Sequence, residues 1–90
     1  MYKIRPTTKF QKDLKRVKKR GFDISLLIDI VKRLAVGELL PEKNRDHRLI
    51  GDYGGYRQCH ITSDWLLICE VDDDELILYL VRTGSHSALF

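Results

Sequence analysis

The feature that most constrains the fold is a pair of almost uninterrupted apolar runs in the second half of the chain. Residues 65–71 contain a single polar side chain, Glu70, and residues 76–81 contain none that is charged. A strand covered on one face alternates apolar and polar residues, whereas a continuously apolar strand needs cover on both faces. Two short helices cannot cover both faces. Either the chain termini or another protein must therefore cover the second one.

Two stretches with helical spacing come before these runs. Their apolar positions repeat every three or four residues: Phe10, Leu14 and Val17 in the first, and Leu27, Ile30, Val31 and Leu34 in the second. Thr7 or Thr8 is expected to cap the first helix, and Asp23 or Ser25 the second. A glycine follows each stretch and should end the helix. The sequence therefore predicts two N-terminal helices.

The remaining segments alternate as strands do. An edge strand over residues 2–5 should end at Pro6, and three further strands are predicted at 56–61, 65–71 and 75–81. Turns separate them at Gly54–Gly55, 62–64 and 72–74, and residues 38–48 form a polar connection. We expect an α+β fold in which two N-terminal helices pack on one face of a small, mainly antiparallel sheet. A chain of 90 residues forms one domain, residues 1–90.

Charge is divided unevenly along the chain. Residues 1–50 hold 14 basic and 6 acidic residues, whereas residues 51–90 hold 2 and 7. The densest basic segment is 9–20, where seven cations accompany only Asp13. Clustered cations bind the nucleic-acid backbone by releasing counterions. The candidate RNA contacts on this helix are Lys12, Lys15, Arg16 and Lys19. A solvated helix face, or a surface for an acidic protein, remains the alternative.

The two cysteines and the lack of a long apolar run indicate a cytoplasmic protein. Cys59 and Cys69 fall inside predicted strands, and we interpret them as reduced core residues. No run reaches the roughly 18 to 20 apolar residues that a membrane-spanning helix needs. The acidic triplet at 72–74 is interpreted as a solvated hairpin tip and not as a metal site.

The second half of the chain also holds three histidines with charged neighbours: Asp46 beside His47, Arg57 and Asp64 around His60, and Arg82 ahead of His86. Imidazole is the side chain that titrates closest to neutrality. If the 72–74 turn is tight, antiparallel pairing puts Trp65 opposite or close to Arg82. His60 should then lie at the same end of the sheet and point away from the face that its two neighbours share. His86 can fold back to that end.

Such a cluster suits RNA cleavage without a metal or other cofactor. The reaction needs a base for the 2′-hydroxyl proton, an acid for the leaving 5′-oxygen and a cation for the phosphate. His60 and Asp64 are candidates for the base or orienting role, and His86 for the acid. His47 could assist in either role. Arg82 is the candidate phosphate clamp because a guanidinium group binds phosphate bidentately.

Two aromatic residues, Trp65 and Phe90, could stack on RNA bases. The segment 85–90 is therefore expected to belong to the active site. Deleting it should abolish cleavage with little loss of fold.

Each assignment has a plainer alternative. A surface histidine can be incidental, Trp65 can belong to the core, and Arg82 can pair with Asp64 for structural reasons. A zinc site built from the three histidines and an aspartate is also conceivable. The sequence shows no H-x-x-x-H or C-x-x-C spacing in its favour.

Three blocks, residues 46–51, 55–68 and 82–90, resemble the YafQ family, toxins of the RelE superfamily from bacterial type II toxin–antitoxin modules. The likeness spans nearly the whole chain, although the N-terminal helices match only in character. The resemblance implies a ribosome-associated endoribonuclease that cuts mRNA. Its implied site residues are the catalytic His47, His60, Asp64 and His86, the phosphate-binding Arg82, and the aromatic Trp65 and Phe90.

The resemblance also implies a protein partner. An antitoxin with a ribbon-helix-helix DNA-binding region and an acidic C-terminal part would hold the toxin inactive, and the toxin would reach operator DNA only through it. Two other functions remain open on the same fold. One is a non-enzymatic toxin like the ParE relatives that poison DNA gyrase, and the other is a plain nucleic-acid-binding module.

Overall fold

The computed structural model describes residues 1–48 and 56–90, with His47 and Arg48 described by their backbone only. The turn predicted at Gly54–Gly55 lies outside the described residues. The elements run in the order β1 (Lys3–Pro6), α1 (Thr8–Lys19), α2 (Ile24–Ala35), a 3-10 turn (Glu42–Asn44), β2 (His47–Arg48), β3 (Arg57–Thr62), β4 (Trp65–Asp72), β5 (Ile77–Gly84) and α3 (His86–Leu89).

The strands of the described residues form one sheet in the order β1-β5-β4-β3-β2. Every neighbouring pair is antiparallel except β1 and β5, which are parallel. The predicted α+β class, the antiparallel meander of β3, β4 and β5, and the edge position of β1 are confirmed. The predicted polar connection at 38–48 is wrong in one respect, because it contains the 3-10 turn and the edge strand β2.

Side-chain capping sets the start of both long helices. The Thr7 hydroxyl oxygen accepts the N–H of Phe10 at 3.2 Å, and the Asp23 carboxylate accepts the N–H of Ser25 at 3.1 Å. Gly21 follows α1 with a φ of 82°, a left-handed conformation that glycine adopts without steric cost. The predicted caps and the glycine stop are therefore confirmed.

Two apolar layers cover the sheet. On one face α1 and α2 pack against buried strand residues such as Leu67 and Leu78. On the opposite face, which we call the second face, Leu66 and Ile68 are fully buried and pack with Leu89 of α3. The C-terminal segment thus covers part of the second face. Of the two predicted alternatives, chain termini or another protein, the structure shows the chain terminus.

The β4–β5 connection is longer than the predicted tight turn. It spans residues 73–76, and the Asp72 carboxylate accepts two backbone N–H groups of that turn. In addition, the register of the β4–β5 pair shifts between Ile68 and Cys69, and Ile68 pairs with Arg82. The expected pairing of Trp65 with Arg82 is therefore wrong, because the longer turn and the shift move Arg82 away from the start of β4.

Both cysteines are buried and free of disulfide bonds, as predicted. Burial raises the pKa of Cys69 to about 12 and raises the pKa of Cys59 as well. Among the described residues, no helix combines the length and the apolar character needed to span a membrane.

Candidate active site

The β3–β4 turn, the end of β5 and the start of α3 meet at one end of the sheet. Asp64 lies in the β3–β4 turn, and its Oδ1 is 3.4 Å from the backbone nitrogen of His86. Ser85 caps α3 by accepting the N–H of Ala88 at 3.3 Å. The packing of Leu89 into the second-face core holds the other end of α3. The predicted return of His86 to this end of the sheet is confirmed.

His60 lies on the second face, near the same end of the sheet. It pairs with Leu66, which belongs to the second-face core, whereas its neighbour Cys59 belongs to the core beneath α1 and α2. The predicted direction of His60 is therefore confirmed. The buried amide of Asn44 donates to the His60 carbonyl at 2.7 Å, and the Gln58 amide nitrogen is 3.5 Å from His60 Nε2. These contacts fix the end of β3.

His47 is placed by its backbone alone. It pairs with Gln58, so it lies on the strand next to that of His60. Asp46, just before it, binds Arg57 through both carboxylate oxygens. This ion pair joins the beginning of β2 to the beginning of β3.

Arg82 does not pair with Asp64. Its Nε is 2.6 Å from Asp13 Oδ2, and its Nη2 is 3.2 Å from Asp13 Oδ1. The Asp13 side chain is only 3% exposed, and that of Arg82 is 21% exposed. Arg82 is thus bound bidentately by a buried carboxylate of α1, a geometry that fixes the plane of the guanidinium group.

The structure contradicts base stacking by Trp65. The residue is 2% exposed, and its ring lies 5.0 Å from that of Phe22 in an edge-to-face contact. Its indole N–H donates to the Thr83 hydroxyl at 2.9 Å. Because a base needs an exposed ring face, we assign Trp65 to the core, where it supports the strand that carries Arg82.

Phe90 and the cations of α1 are accessible. Phe90 is 54% exposed, and its ring lies 5.0 Å from the imidazole of His86. The candidate RNA contacts on α1 are all exposed: Lys12, Lys15, Arg16 and Lys19. Arg16 also lies 3.4 Å from Asp13, one turn away, so the basic surface of α1 adjoins the Arg82 site.

The sequence did not single out Asp13, which the structure places against Arg82. It is the only acid among the seven cations of residues 9–20, and it lies three residues after Phe10 and four before Val17, on the apolar side of the helix. A charged residue on a buried helix face needs a partner. That position was the signal that could have identified it.

Metal ligands do not gather among the described residues. Within residues 1–48 and 56–90, no three His, Cys, Asp or Glu side chains come close enough to hold an ion, with the His47 side chain outside that description.

The chain has a helix pair on one face of a mainly antiparallel sheet, and two histidines and an aspartate at one end of the other face. This arrangement places the chain among the small RelE-like α+β proteins. The sequence matches the family described as "Bacterial toxin of type II toxin-antitoxin system, YafQ" over residues 2–90. The chain belongs to this family.

Known relatives agree with this assignment. The chain is 39% identical over 82 residues to "mRNA interferase toxin YafQ" of Escherichia coli K12, covering 90% of this chain and 87% of the relative. A metal-bound toxin from Helicobacter pylori has a TM-score of 0.94 and 44% identity, with both chains fully covered. The toxin in the E. coli DinJ–YafQ complex has a TM-score of 0.90 and 35% identity, covering 100% of this chain and 99% of the other.

Proposed function

We propose that this chain is an mRNA interferase: an endoribonuclease that cuts mRNA on the ribosome, in the cytoplasm, and so arrests translation. Membership of the toxin family and the name of the E. coli relative support the activity. The observation that carries the chemistry is the contact between Asp64 and the backbone of His86, at the end of the second face near His60. This contact supports the proposal that candidate acid and base groups act together at one end of a single domain, residues 1–90.

The proposed reaction is an internal displacement at phosphorus. A base takes the proton of the RNA 2′-hydroxyl, and the 2′-oxygen attacks the adjacent phosphorus. The bond to the 5′-oxygen breaks, and an acid donates a proton to that oxygen. The products are a 2′,3′-cyclic phosphate and a 5′-hydroxyl, and no metal is required.

The side chains of the site divide these roles. His60 and His86 act as the proton-transfer pair, assisted by His47. Asp64 holds the His86 segment through the backbone contact at 3.4 Å. Arg82 binds the phosphate that gains negative charge during the attack, for which a fixed guanidinium group is suited.

Substrate binding extends from this site to α1. Lys12, Lys15, Arg16 and Lys19 form an exposed basic surface for the RNA backbone. Arg16 of this surface lies 3.4 Å from Asp13, which binds Arg82, so the surface reaches the site. Phe90 supplies an exposed ring for base stacking, next to His86. The exposed cations would supply salt-dependent affinity, and the aromatic ring would supply a base contact.

The proposed protein partner is an antitoxin with a ribbon-helix-helix region and an acidic C-terminal part. The E. coli relative in this family is seen in complex with DinJ. The excess of basic residues in the first half of this chain favours an acidic partner.

The experiment that tests the function combines the purified chain with ribosomes carrying a defined mRNA. We expect cleavage within the mRNA, 2′,3′-cyclic phosphate ends, and the same rate whether or not the purified chain has been treated with EDTA, which is removed before the Mg²⁺-dependent ribosomes are added. A supercoiling assay with DNA gyrase runs in parallel and should show no inhibition.

Three results would contradict the proposal. Gyrase inhibition with intact mRNA would indicate a ParE-like toxin. Salt-sensitive RNA binding without cleavage, even on ribosomes, would indicate a binding module. Loss of cleavage after EDTA treatment of the purified chain, with recovery when zinc is added back, would indicate metal chemistry.

A further inference from the structure

β5 extends beyond the end of its neighbour β1. The last pair in the β1–β5 ladder is Pro6 with Leu80, whereas β5 continues to Gly84. The chain then turns into α1, and Thr7 uses its N–H and hydroxyl to bind the carbonyls of Leu80 and Val81 at 3.0 and 3.1 Å. Farther along this edge of β5, the backbone needs a hydrogen-bond partner other than β1, and α1 must provide it.

Asp13 supplies that group and binds Arg82 at the same time. Its Oδ2 accepts the backbone N–H of Thr83 at 3.2 Å as well as Nε of Arg82 at 2.6 Å. Its Oδ1 accepts from Arg82 Nη2 at 3.2 Å and lies 3.4 Å from Arg16 Nη1. One buried carboxylate therefore fixes both the backbone at residue 83 and the guanidinium plane of residue 82.

We propose that Asp13 is the positioning residue of the active site: it orients the Arg82 guanidinium group toward the scissile phosphate of the RNA. This inference rests on the proposed function and assigns a task to a residue outside the histidine cluster. Asp13 engages one edge of the guanidinium group, through Nε and Nη2. A carboxylate bound along that edge directs the rest of the fork to a single orientation.

Geometry and charge both separate this role from simple support of the fold. Support of Thr83 needs only one oxygen acceptor, which an amide can provide. Orientation of Arg82 needs two acceptors, because each carboxylate oxygen accepts a different guanidinium N–H. Asp13→Asn keeps the shape and one oxygen but replaces the second acceptor with a donor.

The test is steady-state cleavage of mRNA on ribosomes by the full chain, from which kcat and KM are obtained. The variants are Asp13→Asn, Arg82→Ala and the double variant, with Asp29→Asn as the matched control. Asp29 also pairs with an arginine, Arg33, but that pair is exposed on α2. We expect Asp13→Asn to lower kcat about 100-fold, the order of loss that misplacement of a reacting group produces. KM should change less than about threefold, and Asp29→Asn should cleave like the wild type.

The double variant gives the decisive comparison. If Asp13 acts through Arg82, adding Asp13→Asn to Arg82→Ala lowers the rate by less than about threefold further. A second readout is the Arg82 Nε–H signal in NMR spectra. It should be protected from exchange in the wild type and lose that protection in Asp13→Asn, while the backbone amide spectrum is retained.

Two outcomes would overturn the inference. One is an Asp13→Asn variant that cleaves within about threefold of the wild type while Arg82→Ala is inactive. The other is a pair of effects that multiply in the double variant. The proposed function fails differently, since the wild-type chain itself would then leave the ribosome-bound mRNA intact.

A further variant keeps the test valid if Asp13→Asn does not fold. Arg82→Lys keeps the positive charge and leaves Asp13 intact, but an ammonium group has no forked plane to orient. We expect its rate to fall nearly as far as that of Arg82→Ala. Activity within about threefold of the wild type would overturn the inference, because a fixed guanidinium plane would then be unnecessary.

Discussion

Asp64 Oδ1 lies 3.4 Å from the backbone nitrogen of His86, so the β3–β4 turn contacts the first residue of α3. The two residues are 22 positions apart in sequence, and neither belongs to a strand. The contact brings the C-terminal segment to the end of the sheet where His60 lies. It links an acidic turn residue to the proposed chemistry through the backbone, without any bond to the imidazole ring.

The C-terminal segment combines a structural and a chemical task, and two substitutions should separate them. His86 is exposed, so His86→Ala should leave the free energy of unfolding nearly unchanged. Leu89 is 7% exposed and packs with Leu66 and Ile68, so Leu89→Ala should lower it by about 2 kcal/mol. Urea unfolding of both variants measures the difference.

Removal of residues 85–90 should abolish cleavage, through loss of His86, and lower the free energy of unfolding, through loss of Leu89. The expectation that this deletion leaves the fold almost unaffected is therefore corrected, because it uncovers the second-face core. Equal stability of the truncated and complete chains would contradict the assignment of Leu89 to the core.

The buried cysteines predict a loss of stability in alkali. The pKa of Cys69 rises from 9.0 to about 12 on folding because burial disfavours the thiolate. Below pH 9 both states keep the proton, so the full stability is present. Above it the unfolded thiol ionises first, and Cys69 alone should lower the free energy of unfolding by about 1.4 kcal/mol per pH unit until its folded pKa is reached.

Urea unfolding at pH 8 and pH 10 checks this prediction. A Cys69→Ala variant is the matched control, since it lacks the Cys69 thiol and keeps that of Cys59. Its stability should fall less between the two pH values than that of the wild type. The same fall in both proteins would show that other groups cause the alkaline loss.

The basic face of α1 predicts a salt-dependent affinity for RNA. Changing Lys12, Lys15 and Lys19 to Gln removes three proposed phosphate contacts. The slope of log K against log salt should become less steep by about 2, because each contact with single-stranded RNA contributes roughly 0.7. Binding of 2′-O-methyl RNA, which lacks the attacking hydroxyl, measures the slope without cleavage.

Lys32→Gln provides the control for this series. Lys32 is exposed in the last turn of α2, outside the proposed RNA surface. The slope of log K against log salt for Lys32→Gln should match that of the wild type. An unchanged slope in the triple variant would remove α1 from the RNA interface.

Local patterns predicted most of the fold. The helix stripes, the caps at Thr7 and Asp23 and the central strands follow from side-chain periodicity, which depends on neighbours in sequence. The parallel pairing of β1 with β5 did not follow, because no local signal says which distant strands become neighbours. The two-residue strand β2 is too short to show an alternation.

The sequence predicted the position of a site residue only where that position depends on neighbours along the same strand. His60 lies on the expected face because alternation with Cys59 and Ile61 fixes its direction. Arg82 was misplaced because its position depends on the length of a turn and on a register shift, and both must be known to one residue. Its bond to Asp13 joins residues 69 apart in sequence, so counting along a hairpin could not reveal it.

The most direct test of the central claim is the single-turnover rate of mRNA cleavage on ribosomes by His60→Ala and His86→Ala. The account predicts that each variant loses at least about 100-fold in rate, the usual contribution of a proton-transfer group. Thermal unfolding of each variant should remain close to that of the wild type. Cleavage within about threefold of the wild type by both folded variants would contradict the assignment of the chemistry to these histidines.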